Sequence, residues 1–297
     1  MRDLNKFRRK LPEITLFSAL AVLAAIALFP LVFTVLNSLM GGHEIISRYA
    51  DFQTDGNADG LFFRTLHFVD FSLMPQAVTF EKYADLLTKS PLYLMMFWNS
   101  LKITAPVLVG NVIVSAMAAF AFEHLRFKAK EAVYFVYLIV MLMPLQVLLV
   151  PNFLVADWLN IRQNYLAIIL PGIFSPFGVF LIRQHLKGFP SEYFDAAFVD
   201  GAGYLQFFIR IIIPCMKPTL AALTILTFVE YWNVVDQAVV FIHQTYRQPL
   251  SVYLSRMVSL DMGMVFATSA LYMLPALLLF FAGTEQMAEG LRLSGIK

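Results

Sequence analysis

The sequence predicts an all-α, polytopic membrane protein with six transmembrane helices. Three observations carry this. Of 297 residues, 59% are hydrophobic and 14% charged, against roughly 25% charged in soluble domains; the mean hydropathy is +0.70. Several apolar runs reach the roughly 20 residues that a helix needs to cross a bilayer. Those runs are uniformly apolar, whereas barrel strands alternate over about 10 residues.

The elements follow in order. Arg2, Lys6, Arg8, Arg9 and Lys10 precede a stretch, 14–42, with no Asp, Glu, Lys or Arg over 29 residues. The apolar core of a signal peptide is only about 7–15 residues long, so this stretch reads as a retained first span near 15–39. Further spans are expected near 92–122, 132–155, 165–183, 218–239 and 262–284, with Lys102 close to the outer end of the second. The organisation is then a cytoplasmic tail (1–13), a first helix (14–40), an extracytoplasmic loop (41–91), and a core (92–297) with five helices and a polar loop at 189–217. Within the outer loop, Asp55-Gly56-Asn57-Ala58-Asp59-Gly60 looks like part of a calcium loop. The twelfth position, where such a loop needs Glu, is Leu66, which excludes that site. Segment 80–87 (FEKYADLL) predicts a short amphipathic helix. Glu230 and Asp236 interrupt the fifth span. Either they face a bundle interior or watery path, or the helix ends early and Asp236 lies among the outer headgroups.

Charge sets the orientation. With the N-terminus inside, the inner segments hold 14 of the 22 Lys and Arg and the longer outer segments hold seven. The positive-inside rule therefore puts both termini in the cytoplasm of a prokaryotic plasma membrane. A net charge of +2 is too small to suggest nucleic-acid binding. The single cysteine, Cys215, excludes an internal disulfide and is expected to pack as a small hydrophobe.

Segment 189–218, FPSEYFDAAFVDGAGYLQFFIRIIIPCMKP, falls on the cytoplasmic side in this orientation. Pro190-Ser191 reads as a helix start, with Ser191 as a cap and Glu192 favoured by the helix dipole. The helix should run to about Val199 and break at Gly201 and Gly203, either of which can take a positive φ. A second helix is expected over 204–213, meeting the fifth span at Pro214. Ala196 and Ala197 would let a partner surface approach. Tyr193, Phe194, Ala197 and Phe198 would offer it an apolar face, and Asp195 an anion to pair. An interfacial hairpin packed on its own bundle fits these residues equally well.

The layout Asp195-Ala196-Ala197, Gly201, Ile211 and Pro214 resembles the cytoplasmic coupling loop of ABC importer permeases. Other segments agree in order: Trp98-Asn99-Ser100-Leu101, Met143-Pro144-Leu145-Gln146 with Pro151, Phe177 to Gln184, Trp232-Asn233, Leu274-Pro275 and Glu289-Gly290-Leu291. From Trp98 onward the chain is similar to the MalG-like, type I, carbohydrate permeases. One departure is Asp195, where that family usually has Glu. The resemblance implies the type I ABC importer permease fold and transport of a mono- or oligosaccharide by alternating access. It also implies a second homologous permease, two ATP-binding subunits that hold the ATP, and an extracytoplasmic solute-binding protein. Asp195, Ala196, Ala197, Gly201, Ile211 and Pro214 would couple to the ATPase.

No catalytic residue or resident cofactor is expected. The chain has no G-x-x-x-x-G-K-[ST], no HExxH and no G-x-S-x-G. Its five histidines are scattered, so no metal site is expected. Polar and aromatic residues within spans suit sugar hydroxyls and C–H faces: Gln146, Glu230, Trp232 and Asn233 foremost, then Asn99 and Asn111, with Asn99 read as structural. The competing role for each is polar glue between helices, worth about 0.6 kcal/mol per contact. Other readings are a permease for glycerol-phosphate or another polyol-like solute, and an ion-coupled secondary transporter using Glu230. Lys102 as the only cation within a span favours a neutral solute over an anionic one.

Overall fold

The computed structural model describes residues 2–54, 74–257 and 261–294, without the side chains of 2–14, 50–54, 191 and 285–294. The calcium-like segment and the side chains of Glu289 and Leu291 therefore lie outside the described residues. Helices dominate, and the described residues contain no strand, only an isolated bridge between Met40 and Val78. Four helices are long and apolar enough to cross a membrane, and six if each of two bent pairs counts as one span. The chain divides into two compact units, Met1–Pro91 with Arg256–Met273, and Leu92–Ser255 with Leu274–Lys297.

The first unit begins with α1 (Arg2–Ser38), whose span covers Thr15–Ser38. Its apolar side chains, among them Phe17, Leu23 and Ile26, are exposed; a helix satisfies its own backbone, so lipid can cover such a surface. Then come α2 (Gly42–Thr54) and α3 (Glu81–Lys89), the latter where the amphipathic segment predicts it. Polar contacts pin this loop. Tyr49 donates to Asn37 Oδ1 at 2.7 Å, and Glu44 accepts the Gln76 N–H at 3.1 Å while pairing with Arg48 at 2.8 Å. Lys82 Nζ meets Asp261 at 2.5 Å, just before α15 (Met262–Ser294).

The second unit is built on α4 (Pro91–His124). The expected third span is not one helix: α5 (Lys130–Met141) and α6 (Leu145–Trp158) are bent by 110°. Pro144 explains the break. It lacks an N–H, and its ring would strike the carbonyl four residues back in a continued helix. The fourth span also has a joint, between α7 (Leu166–Ile173) and α8 (Pro176–Leu186). Pro176 cannot donate to the Gly172 carbonyl, and Asn111 on α4 supplies a donor instead. Its Nδ2 lies 3.0 Å from Gly172 O and 3.3 Å from Ile173 O. Gly178 permits close packing there, because a Cβ would come within 2.9 Å of Ser115 Cβ and closer still to Ser115 Oγ.

After α9 (Ser191–Val199) the expected helix over 204–213 is divided. It comprises α10 (Tyr204–Phe207), a π-helical turn (Phe208–Ile212) and α11 (Ile213–Cys215). The Ile213 N–H reaches back five residues to Phe208 O, which accommodates Pro214 where an α-register would set its ring against a carbonyl. The chain then bends by 74° into α12 (Lys217–Trp232). The expected fifth span, 218–239, ends early at Trp232; α13 (Asp236–Phe241) is separate. A 3₁₀ turn (Thr245–Arg247) and α14 (Leu250–Arg256) follow. Cys215 is exposed rather than packed, since the bend after α11 turns it outward from the core that holds Met216.

Candidate functional site

Two places gather the residues singled out in the sequence. The first is the hairpin of α9 to α11. Pro190 caps α9 in extended conformation (φ −62°, ψ 134°), and Ser191 is its first residue. Gly201 makes the turn with φ +80°, whereas Gly203 does not need a positive φ. The hairpin is sewn into its own unit. Phe194 lies 5.3 Å from the His124 ring and 5.1 Å from Phe207, edge-on to the latter. Phe198 sits 4.9 Å from Tyr204. Ala197 is buried in the same cluster with Phe120, Leu186 and Ile212, and Ile211 packs against it.

The apolar face expected to meet a partner is therefore turned inward at Phe194, Ala197 and Phe198. The reason is geometric: the turn at Gly201 folds α10 back along that face, and burying it against α4 and α10 removes several aromatic rings from water. What remains outside is Tyr193, Asp195, Ala196 and Val199, the last 87% exposed, with Leu205 at 71% on the second arm. Pro214 is also exposed.

The second place is a recess of about 180 Å³ where α12 ends. It is lined by Leu145, Glu230, Tyr231, Asn233, Val234, Val235, Asp236 and Gln237. Glu230 and Asn233 thus line the same recess. Asn233 donates from Nδ2 to Val229 O at 2.8 Å, closing the last turn of the helix. Trp232 does not line the recess. It is 1% exposed, stacked 5.2 Å from Phe228 and edge-on to Phe97 at 5.7 Å. Helical geometry accounts for this: Trp232 lies one turn beyond Phe228, on the face where the indole meets Phe97 of α4. Gln146 is exposed but lies outside the recess lining.

Asn99 and Asn111 are glue. Asn99 Nδ2 donates to Tyr246 O at 2.8 Å, and the neighbouring Ser100 Oγ accepts the Leu250 N–H at 2.8 Å. Sequence reasoning missed Arg183. This side chain is 3% exposed, pairs with Glu123 at 3.2 Å and Glu131 at 2.8 Å, and lies 3.8 Å over the Tyr134 ring. Its partners lie 60 and 52 positions upstream, Glu123 at the end of α4 and Glu131 at the start of α5. Among the described residues no group of His, Cys, Asp or Glu is placed to hold a metal.

Residues 111–284 match the profile of a family described as binding-protein-dependent transport system inner membrane component. The chain belongs to that family. Among similar proteins, the permease is 30% identical to a lactose transport system permease protein of Rhizobium radiobacter over 291 residues, 97% of this chain and 98% of that one. It is 28% identical to an arabinooligosaccharides transport system permease protein of Halalkalibacterium halodurans, over 93% of this chain and 94% of that one. A crystal structure of a bacterial ABC transporter involved in alginate import contains a chain that superposes with a TM-score of 0.73 at 21% identity, covering 93% of the permease and 96% of that chain. At that identity the likeness concerns the fold. The permease is accordingly a multi-pass inner-membrane transport component, and the matched stretch includes both the hairpin and the recess.

Proposed function

We propose that the permease is one membrane half of an ATP-driven importer of a mono- or oligosaccharide. The observation that carries this is end-to-end similarity to a lactose transport system permease, with an arabinooligosaccharide permease beside it. In this reading a second homologous permease completes the pathway, two ATP-binding subunits supply the energy, and an extracytoplasmic solute-binding protein delivers the sugar. This chain holds no cofactor; ATP stays on the partner subunits. Both termini and the hairpin lie in the cytoplasm, as the distribution of Lys and Arg favours.

The ATPase grips the outward surface of α9, where Asp195 offers a charge and Ala196 a close approach. Ala197, Ile211 and Pro214 act from behind, holding the hairpin to the core. Closure of the ATPases moves the hairpin and opens the cavity outward; hydrolysis resets it. Work is done because ATP binds the closed state more tightly, which any driven conformational equilibrium requires. Glu230 and Asn233 contact the sugar, Trp232 stiffens the wall behind them, and Gln146 lies farther along the path.

The test is the Gly201→Asp variant in the assembled transporter, reconstituted with its binding protein. Gly201 has φ +80° and no neighbouring atom within 4 Å of a built Cβ, so the change strains the turn without a clash. Assembly should persist while sugar uptake falls at least tenfold relative to ATP hydrolysis. Unchanged uptake per ATP would remove the coupling role from this hairpin.

A further inference from the structure

The recess at the end of α12 has a negative character that a neutral sugar does not call for. Glu230 and Asp236 both line it and both are exposed. Neither has an ion-pair partner among the described residues. No Lys, Arg or His is in the lining. The recess also sits at the C-terminal end of a 16-residue helix, the negative end of its dipole. Where a membrane helix is interrupted, such an end is suited to a cation and unsuited to an anion.

An independent observation comes from Gln237. It belongs to the same lining and is 5% exposed; its side chain meets the Tyr231 hydroxyl, and its Oε1 has no hydrogen-bond partner among the described residues. A buried acceptor left unpaired is costly, and a ligand that brings N–H groups would relieve it. Neutral hydroxyls can donate too, but they leave the two carboxylates without a counter-charge. An ammonium group does both.

We infer that the transported solute carries a positively charged nitrogen, as an amine-bearing, non-acetylated sugar does, and that Glu230 and Asp236 receive it. This rests on the reading of the permease as half of a sugar importer, and it narrows that reading to one substrate class. A sugar acid or phosphate ester would meet repulsion in the same place.

The experiment uses the complete transporter with its binding protein in proteoliposomes. Uptake is compared for glucosamine-type oligosaccharides, their N-acetylated counterparts and neutral glucose-type oligosaccharides. Wild type should favour the amine-bearing form about tenfold or more. In Glu230→Gln and Asp236→Asn that preference should fall toward parity, with assembly checked by co-purification of the ATPase. Because the binding protein is the same in every arm, a changed ratio belongs to the permease. Asp157→Asn, an exposed carboxylate paired with Arg162 elsewhere, should leave the ratio as in wild type. A wild type that moves neutral or N-acetylated sugars as well as the amine-bearing form overturns the inference and leaves the sugar importer standing. So does sodium-dependent uptake with no amine preference, which would make the recess an inorganic cation site. If no sugar of any class is taken up, the importer reading itself fails and this inference with it.

Discussion

Asn111 offers the sharpest test of how this bundle is held together. The side chain is fully buried, and its amide nitrogen serves two carbonyls freed by the break before Pro176. Gly172 O keeps one other donor, the Ser175 N–H at 3.3 Å, so the heavier penalty falls on Ile173 O. Leaving a buried acceptor unpaired costs about 1–3 kcal/mol. Measured side-chain hydrogen bonds in membranes average nearer 0.6 kcal/mol, because the unfolded reference finds partners too. Replacement by Ala also leaves a small void. Together these give about 2 kcal/mol for Asn111→Ala, or a fall in melting temperature of about 4–8 °C. Asn111→Asp keeps the shape and removes the donor, placing a carboxylate against two carbonyl oxygens, so it should lose more than Ala. The assay is thermal unfolding of the detergent-solubilised transporter, followed by size-exclusion chromatography at increasing temperatures. If Asn111→Asp melts with wild type, shape rather than donation is what the site requires, and the account of the Pro176 joint is wrong.

Other expectations follow from the same packing. Gly178→Val should prevent accumulation of folded protein, while Gly178→Ala paired with Ser115→Gly should recover part of what Gly178→Ala alone loses, as read by membrane yield. Arg183→Met leaves Glu123 and Glu131 able to turn to water, whereas Glu123→Gln with Glu131→Gln strands a guanidinium that is 3% exposed; the double carboxamide should therefore melt lower than Arg183→Met. Burial raises the Asp261 carboxyl, but hydrogen bonds from Lys82 and the Gly263 N–H outweigh it and hold the group below the ordinary aspartate range. A depressed folded-state value contributes stability that is present above the unfolded pKa of about 3.9 and lost as pH falls through the lowered one. Limited proteolysis of the loop between the first and second spans should show protection from neutral pH to about pH 4 and a decline below it, a step that Asp261→Asn abolishes.

Local signals were legible in the sequence. The uncharged run after Ile14, the start of α9 after Pro190 and the turn at Gly201 depend on residues within a few positions of one another. The break at Pro144 carried its own sign, a proline inside an apolar run, but proline is tolerated in many membrane helices, so a 110° bend could not be told from a mild kink. Facing was harder. An apolar stripe at Phe194, Ala197 and Phe198 reports that something covers it, not whether that is a partner or the chain's own α4 and α10. Trp232 misled for the same reason, because an aromatic beside a polar residue suits both a sugar site and a core. The Arg183 cluster joins residues 52 and 60 positions apart, a separation at which a single sequence offers no pairing signal.

The inward rings of the hairpin have a consequence for engineering. Phe194 and Phe198 make the hairpin a part of the core rather than a detachable handle. A graft of residues 189–217 from another permease would bring foreign rings to a socket shaped by Phe120 and His124 on α4. Chimeras intended to redirect the chain to a different ATPase should therefore exchange only the outward positions, Tyr193, Asp195, Ala196, Val199 and Leu205, and leave the interior lining in place.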